Sequence, residues 1–298
     1  MKINTEAGRL ICETAAAYGW SQETGVYALA RAANSLAAAD AERMSVDAEI
    51  IFPPQADRTK AYAMEKKIRK VCREYKIELK NTKIRQNPLY RTPVVLISGI
   101  GLGRKDIQTD EGKDEGEGRD ADEGRDIVLV KWIGVEGMLH IVDEKEDELR
   151  QRFAPVFINQ IQSRRDGLFA GKELEIARSA GVSLIHQITE GGILVALWEL
   201  SQKTGMGIEA DMKRISVLQE TIEICEHYRL NPYQLTSAGS FLMLAKDGEA
   251  LADELEKNQV RASVIGRIAE GNGKVLRNGE DMRYIDRPAP DEIYKIWI

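Results

Sequence analysis

His186-Gln187-Ile188-Thr189-Glu190-Gly191-Gly192-Ile193 is the stretch that decides how this chain folds. The apolar residues from Val182 to Ile188 read as a strand running straight into the turn. Ile193, Leu194, Ala196, Leu197 and Leu200 recur at helical spacing, so a helix opens at Gly191 or Gly192 and continues to Lys203. Two glycines let backbone amides approach an anion, and a helix N-terminus adds partial positive charge there. Glu190 opposes that use unless a cation bridges it to a phosphate. The plainer reading is that the glycines only permit a tight strand-to-helix turn. His186, with Gln187 beside it, reads as structural, because no Ser or Cys nucleophile accompanies it. His140 and His227 suggest no partners, and Trp132, Trp198 and Trp297 read as cover for hydrophobic surface.

Downstream of the turn, strands are expected at Gly207 to Met212, Ser240 to Ala245 and Ala262 to Ile268. Helices are expected at Leu218 to Tyr228 and Gly248 to Asn258, and a hairpin and tail after Gly271. Upstream, strands at Ile127 to Trp132 and Met138 to Val142 precede helices at Asp143 to Phe153 and Lys172 to Ser179. In the first part, helices are expected at Ala7 to Tyr18, at Gln22 to Ala41 and at Asp57 to Tyr75. Strands are expected at Val46 to Phe52, Ile77 to Leu79 and Pro93 to Ile100. Such alternation makes the class α/β or α+β.

Between the halves, Lys105 to Asp126 has one large aliphatic residue, Ile107, and is dominated by Asp, Glu and Gly. It cannot bury enough apolar surface to offset the entropy of ordering, and it reads as a flexible acidic linker. Its acids do not have EF-hand spacing. Gly99-Ile100-Gly101-Leu102-Gly103 has the look of a dinucleotide loop, but no helix opens after it, so it reads as a strand exit.

Composition narrows the function. A net charge of −6 argues against a broad nucleic-acid surface. No apolar run approaches the ~20 residues of a membrane-spanning helix, and the N-terminus lacks a signal-peptide core. Cys12, Cys72 and Cys225 are far apart and read as buried free thiols, with neither zinc nor disulfides supported. A cytoplasmic location is the expectation.

The segment from His186 to Ile193 resembles the histidine–aspartate–x–threonine–(glutamate or arginine)–glycine–glycine motif of HypE-type hydrogenase maturation factors and AIR synthase-related (PurM-like) proteins. The resemblance continues collinearly through Gly205 to Glu209, Asn231-Pro232-Tyr233, Ser237 to Ser240, Val264 to Ile268 and Pro290 to Lys295. More faintly, Ala33-Asn34-Ser35-Leu36-Ala37 resembles the family's asparagine–aspartate helix. Glu49 to Pro54 and Arg91 to Val95 resemble strands that follow, and Asn81-Thr82-Lys83-Ile84 falls where the family carries glycine–glycine–histidine–threonine–glutamate.

The resemblance implies a shortened N-terminal sheet-plus-helices domain over residues 1–104, the linker over 105–126, and a C-terminal α/β sandwich over 127–298. It implies a homodimer formed by pairing of N-terminal sheets. ATP would sit near the dimer and domain interface, with magnesium on N-domain acids, for phosphoryl transfer to an amide, carboxylate or hydroxyl or its activation. The candidate nucleotide-binding residues are Asn34, Thr82, Lys83, Thr189, Glu190, Gly191 and Gly192.

The chain departs from the family where acids are needed. The N-terminal glycine–aspartate–aspartate segment has no counterpart. Ser35 replaces the helix aspartate, Lys83 a glutamate and Gln187 the aspartate after the histidine. Magnesium wants carboxylate oxygens, so its usual ligands are missing. Trp297-Ile298 stands in place of the terminal cysteine on which HypE-type proteins build thiocyanate, so nitrile-ligand synthesis is not expected. The leading expectation is therefore a HypE-like pseudoenzyme that acts by binding. The alternative is an active ATP-dependent phosphotransfer or amide-activating enzyme of small-molecule metabolism with a rearranged site. In that alternative Gly192→Asp would abolish nucleotide binding without unfolding the chain. A third expectation is pairing with a complete paralogue.

Overall fold

The computed structural model describes residues 2–5, 8–103 and 122–297. Most of the acidic linker lies outside the described residues. The chain forms two compact units, one of Met1–Gln108 with Leu139–Phe169, the other of Thr109–Met138 with Ala170–Ile298.

The first unit is built on a five-stranded sheet: β1 (Lys2–Thr5), β2 (Gly8–Tyr18), β3 (Ala41–Phe52), β4 (Glu78–Gln86) and β5 (Val94–Gly103), in the order β1-β2-β5-β3-β4. Only β3 and β4 run parallel, because helix α2 (Arg58–Glu74) carries the chain back between them. Helix α1 (Thr24–Ala38) packs across β2 and β5 through its run of small residues, with Leu29 and Leu36 fully buried. At Gly25 a Cβ would meet Ile68 Cδ1 at 2.4 Å, so the glycine sets how closely α1 crosses α2. The Asp57 carboxylate caps α2 by accepting from the Thr59 amide at 2.9 Å.

Two expectations fail in this unit. Residues read as a helix from Ala7 to Tyr18 form strand β2 where they are described, paired on both edges by β1 and β5. Ala15, Ala16 and Ala17 favour a helix locally, but their ladder with Ile97, Leu96 and Val95 of β5 overrides that weak preference. Gly99 to Gly103 is not a strand exit but lies within β5. A Cβ on Gly99 would meet Leu36 Cδ1 at 2.9 Å, and one on Gly101 would meet the Ala41 Cβ at 2.4 Å. These glycines make a flat floor for the end of α1.

Helix α3 (Val135–Glu144) lies where a strand is expected at Met138 to Val142. It is followed by α4 (Glu146–Arg152), α5 (Pro155–Gln162) and a 3-10 turn, Ser163–Leu168. Met138, Leu139, His140, Ile141 and Val142 are all buried, so the helix has no polar face here to reveal its period.

The second unit holds a seven-stranded sheet and its helices: β6 (Asp126–Val130), α6 (Lys172–Ser179), β7 (Leu184–Ile188), α7 (Gly192–Thr204), β8 (Gly207–Asp211), α8 (Gln219–Tyr228), β9 (Ser240–Ala245), α9 (Gly248–Lys257), β10 (Ala262–Ala269), β11 (Lys274–Asn278) and β12 (Asp281–Tyr284). The strand order is β12-β11-β8-β10-β6-β9-β7. Every residue of β9 is buried, as its unbroken apolar run requires. Ile127, Leu129, Ile188, Ile193, Leu197, Leu200 and Leu242 join one core beneath α7. Each such side chain contributes about 1.5–3 kcal/mol on burial, which anchors the turn at the head of α7.

Candidate functional site

The turn from Thr189 to Gly192 joins β7 to α7 as its sequence demands. Gly191 and Gly192 have φ of +81° and +66°, left-handed values that favour glycine. The Gly192 amide donates to the Thr189 carbonyl at 3.1 Å. A Cβ on Gly192 would lie 2.6 Å from the Tyr233 carbonyl oxygen and 2.9 Å from the Leu235 nitrogen. Both obstacles are backbone, so Gly192→Asp disrupts packing, contrary to the expectation that it leaves the fold intact.

The Gly191 amide donates to Asp291 Oδ2 at 2.6 Å, and Asp291 Oδ1 accepts from the Ile293 amide at 2.9 Å. Asp291 is 2% exposed. The tail is fixed further by Glu292, which accepts from the Asn231 amide at 3.2 Å and pairs with Lys295 at 2.7 Å. The Tyr294 hydroxyl donates to the exposed Glu190 carboxylate. Thus the Gly191 amide already has a carboxylate partner from the chain itself, and Glu190 places a second carboxylate at the turn. Asp291 lies 100 residues beyond Gly191, and only its place in the family-like tail hinted at it.

His186 is tied to the same helix. Its Nδ1 lies 2.7 Å from Lys203 Nζ and its Nε2 lies 2.9 Å from Glu199 Oε2. An ammonium can only donate, so Nδ1 accepts and the proton sits on Nε2. Burial lowers the imidazole pKa, while the contact with Glu199 works the other way. The same contact lowers the Glu199 carboxyl. Gln187 is buried, so the site of the family's aspartate holds a neutral amide. Glu136, fully buried, accepts from Thr236 Oγ1 at 2.6 Å and the Ala238 amide at 2.7 Å, fixing the segment that packs beside Gly134.

In the first unit, Asn34 is buried and its Nδ2 donates to the Leu168 carbonyl at 2.7 Å. Thr82 pairs with Ala48 and Lys83 with Glu49 across β3 and β4. Strand alternation therefore points them to opposite faces of the sheet. The Thr82 hydroxyl is buried with no hydrogen-bond partner. Lys83 is exposed on the open face, where its neighbour Glu49 pairs with Arg85. Asn34, Thr82 and Lys83 thus have three different surroundings. The open face also carries Cys12, Ser98, Asp47 and Ile100, which is 46% exposed.

A buried polar cluster in this unit escaped the sequence reading. Arg165 makes two bonds to Asp143, at 2.8 and 2.9 Å, and the Tyr27 hydroxyl donates to the same carboxylate. Burial and the Asp143 charge raise the Tyr27 pKa well above its usual value. His140 stacks on Tyr27 with ring centroids 4.5 Å apart, and burial with the Arg31 charge pushes its pKa down to about 3. The cluster joins residues up to 138 positions apart, which no local pattern announces. Cys72 and Cys225 are buried free thiols, pushed up to about 11 and about 12 by burial, whereas Cys12 is half-buried. Among the described residues, no three His, Cys, Asp or Glu side chains form a metal-binding group, and no helix is long and apolar enough to cross a membrane.

Residues 122–278 match the family model of the AIR synthase related protein C-terminal domain. Carbamoyl dehydratase HypE of Rhodobacter capsulatus is 30% identical over 106 residues, covering 34% of this chain and 31% of that protein. The match to this HypE thus spans about a third of its length. A hydrogenase expression/formation protein of Methanocaldococcus jannaschii is 21% identical over 92% of this chain and 79% of its own. Among solved structures, E. coli HypE superposes with a TM-score of 0.69 at 17% identity, covering 97% of this chain and 90% of that one. HypE in complex with ATP gives 0.69 at 16% identity, over 97% and 88% of the chains. HypE from a HypE–HypF complex gives 0.68 at 16% identity, over 94% and 90%. At these identities the superpositions establish the fold alone.

Proposed function

We propose, from the premise that this chain belongs to the AIR synthase related protein family, that it is a HypE-like protein acting by binding rather than by ATP-dependent catalysis. The observation that carries this reading is the Asp291 carboxylate 2.6 Å from the Gly191 amide. A phosphate at the turn would have to displace it and then meet Glu190. Ser35 and Gln187 offer no charge to hold the magnesium that would offset this repulsion. HypE has been solved with ATP, so the decisive measurement is calorimetric titration of the full chain with ATP and magnesium. The expected result is no binding in the micromolar range and no hydrolysis. Micromolar affinity or turnover would sink the proposal.

A second reading rests on Lys83, exposed on the open sheet face with no ion pair among the described residues. In it Lys83 meets a nucleotide phosphate in a rearranged site, Asn34, Thr82 and Thr189 to Gly192 contribute, and the chain is an active phosphotransfer or amide-activating enzyme. Lys83→Ala would then abolish ATP turnover and leave the melting temperature unchanged.

The same open face supports pairing through the first sheet, either with a second copy or with a paralogue. Ile100, 46% exposed, is the large apolar side chain this face presents. HypE is known in complex with HypF, a precedent for a partner-bound role. The reading places the protein in the cytoplasm, where Cys72 and Cys225 stay reduced.

A further inference from the structure

A cavity of about 590 Å³ opens in the first unit among residues outside the candidate nucleotide set. Its size is that of small-molecule sites. Trp20 lines it from the corner between β2 and α1, Asp57 and Lys60 from the start of α2, and Tyr90 and Arg91 from the loop before β5.

Short hydrogen-bonded turns hold these walls in place. The Asn87 side chain accepts from the Leu89 amide at 3.0 Å, its carbonyl accepts from the Tyr90 amide at 3.3 Å, and its own amide donates to the Phe52 carbonyl at 3.0 Å. Gly19 donates to the Pro93 carbonyl at 3.0 Å, and both oxygens of Glu144 are held by the Trp20 and Ser21 amides, at 2.9 and 2.7 Å.

The charges in the lining are unequal in availability. The Asp57 carboxylate is committed to the Thr59 amide at 2.9 Å and the Thr59 hydroxyl at 2.6 Å. Arg91 is exposed and has no ion pair or hydrogen bond among the described residues. The Lys60 ammonium lies 5.3 Å from the centre of the Trp20 ring, a cation resting on an aromatic face. Lys60 also lies near enough to Asp57 to help lower that carboxyl, so Arg91 is the cation free to pair and Lys60 adds a second positive charge beside the two aromatic rings.

We propose that this cavity binds a small aromatic anion, a ring carrying a carboxylate or a phosphate. The ring packs against Trp20 and Tyr90, and the acidic group lies between Lys60 and Arg91. The carboxylate and phosphate forms share this chemistry, so both are tested.

The experiment titrates the full chain with indole-3-acetate, phenyl phosphate and neutral indole-3-acetamide, by calorimetry and Trp fluorescence. Saturable binding of at least one acid is expected, with the amide at least about tenfold weaker, since hydrogen bonds to charged groups carry the larger share of such affinity. Lys60→Ala with Arg91→Ala should weaken the acid at least about tenfold at an unchanged melting temperature. The two single variants localise the effect if the pair alters folding. Equal affinity for acid and amide, or unaltered affinity in the variants, would overturn the proposal, as would the absence of saturable binding by either acid. ATP plays no part in these titrations, so their outcome is independent of the nucleotide reading above.

Discussion

Asp291 Oδ2 lies 2.6 Å from the amide of Gly191, so the head of α7 is capped from the far end of the chain. The contact is charged, buried and shared with the Ile293 amide. Asp291→Ala leaves two amides short of an acceptor and should cost about 2–4 kcal/mol in urea unfolding. Asp291→Asn keeps an oxygen in place and should cost about half as much. Equal stability of Asp291→Ala and the parent would show that the tail does not hold the turn.

Gly192→Ala should destabilise by about 2–4 kcal/mol, through left-handed strain and collision with the backbone of Tyr233 and Leu235. Gly191→Ala meets only the Val195 side chain, its Cγ2 at 2.3 Å and its Cβ at 3.0 Å, with no backbone atom of another segment in the way. Its cost should be about 1–2 kcal/mol. Thermal unfolding of both variants tests this order, and a reversed order would contradict the packing.

This ranking marks what the sequence made legible. The strand, turn and helix around Gly191 were readable because the apolar period changes at the glycines. The family-like tail was readable too, but not its attachment, since nothing local ties Asp291 to a turn 100 residues earlier. Residues Leu139, Ile141 and Val142 hid a helix, because a segment buried on all sides looks the same in either period. The resemblance puts Thr82 and Lys83 in one site, although adjacent strand residues face opposite ways.

If two copies pair through the first sheet, as proposed, Ile100→Asp should reduce the mass measured by light scattering from that of a pair to that of one chain. The side chain is 46% exposed in the first unit, so its loss removes little from that unit's own core. An unchanged pair mass would place the interface elsewhere.

Acid should weaken the fold from below about pH 6.5. His140 has a folded pKa of about 3 against an ordinary 6.5, so the unfolded chain binds the extra proton between those values. Stability is full above the higher value and falls as pH drops toward the lower one, by about 1.4 kcal/mol per unit for one group. His186, also lowered by burial, acts in the same direction. Urea titrations at pH 7.5 and 5.0 should differ by about 2 kcal/mol or more, and His140→Phe should remove most of that slope.

Arg165 and Asp143 form the best-defined ion pair of the first unit, two bonds at 2.8 and 2.9 Å with Tyr27 on the same carboxylate. A largely desolvated pair of this kind, Arg165 22% and Asp143 5% exposed, stabilises little as a whole, because desolvation offsets attraction, but its halves are costly alone. Arg165→Met strands the Asp143 charge beneath Tyr27 and should cost about 3–5 kcal/mol. Tyr27→Phe removes one hydroxyl donor and leaves the pair intact, so about 1–2 kcal/mol is expected. Arg165→Met with Asp143→Leu removes both charges and should recover much of the single loss. Such recovery separates an uncompensated charge from lost packing, since a packing defect would deepen in the double variant.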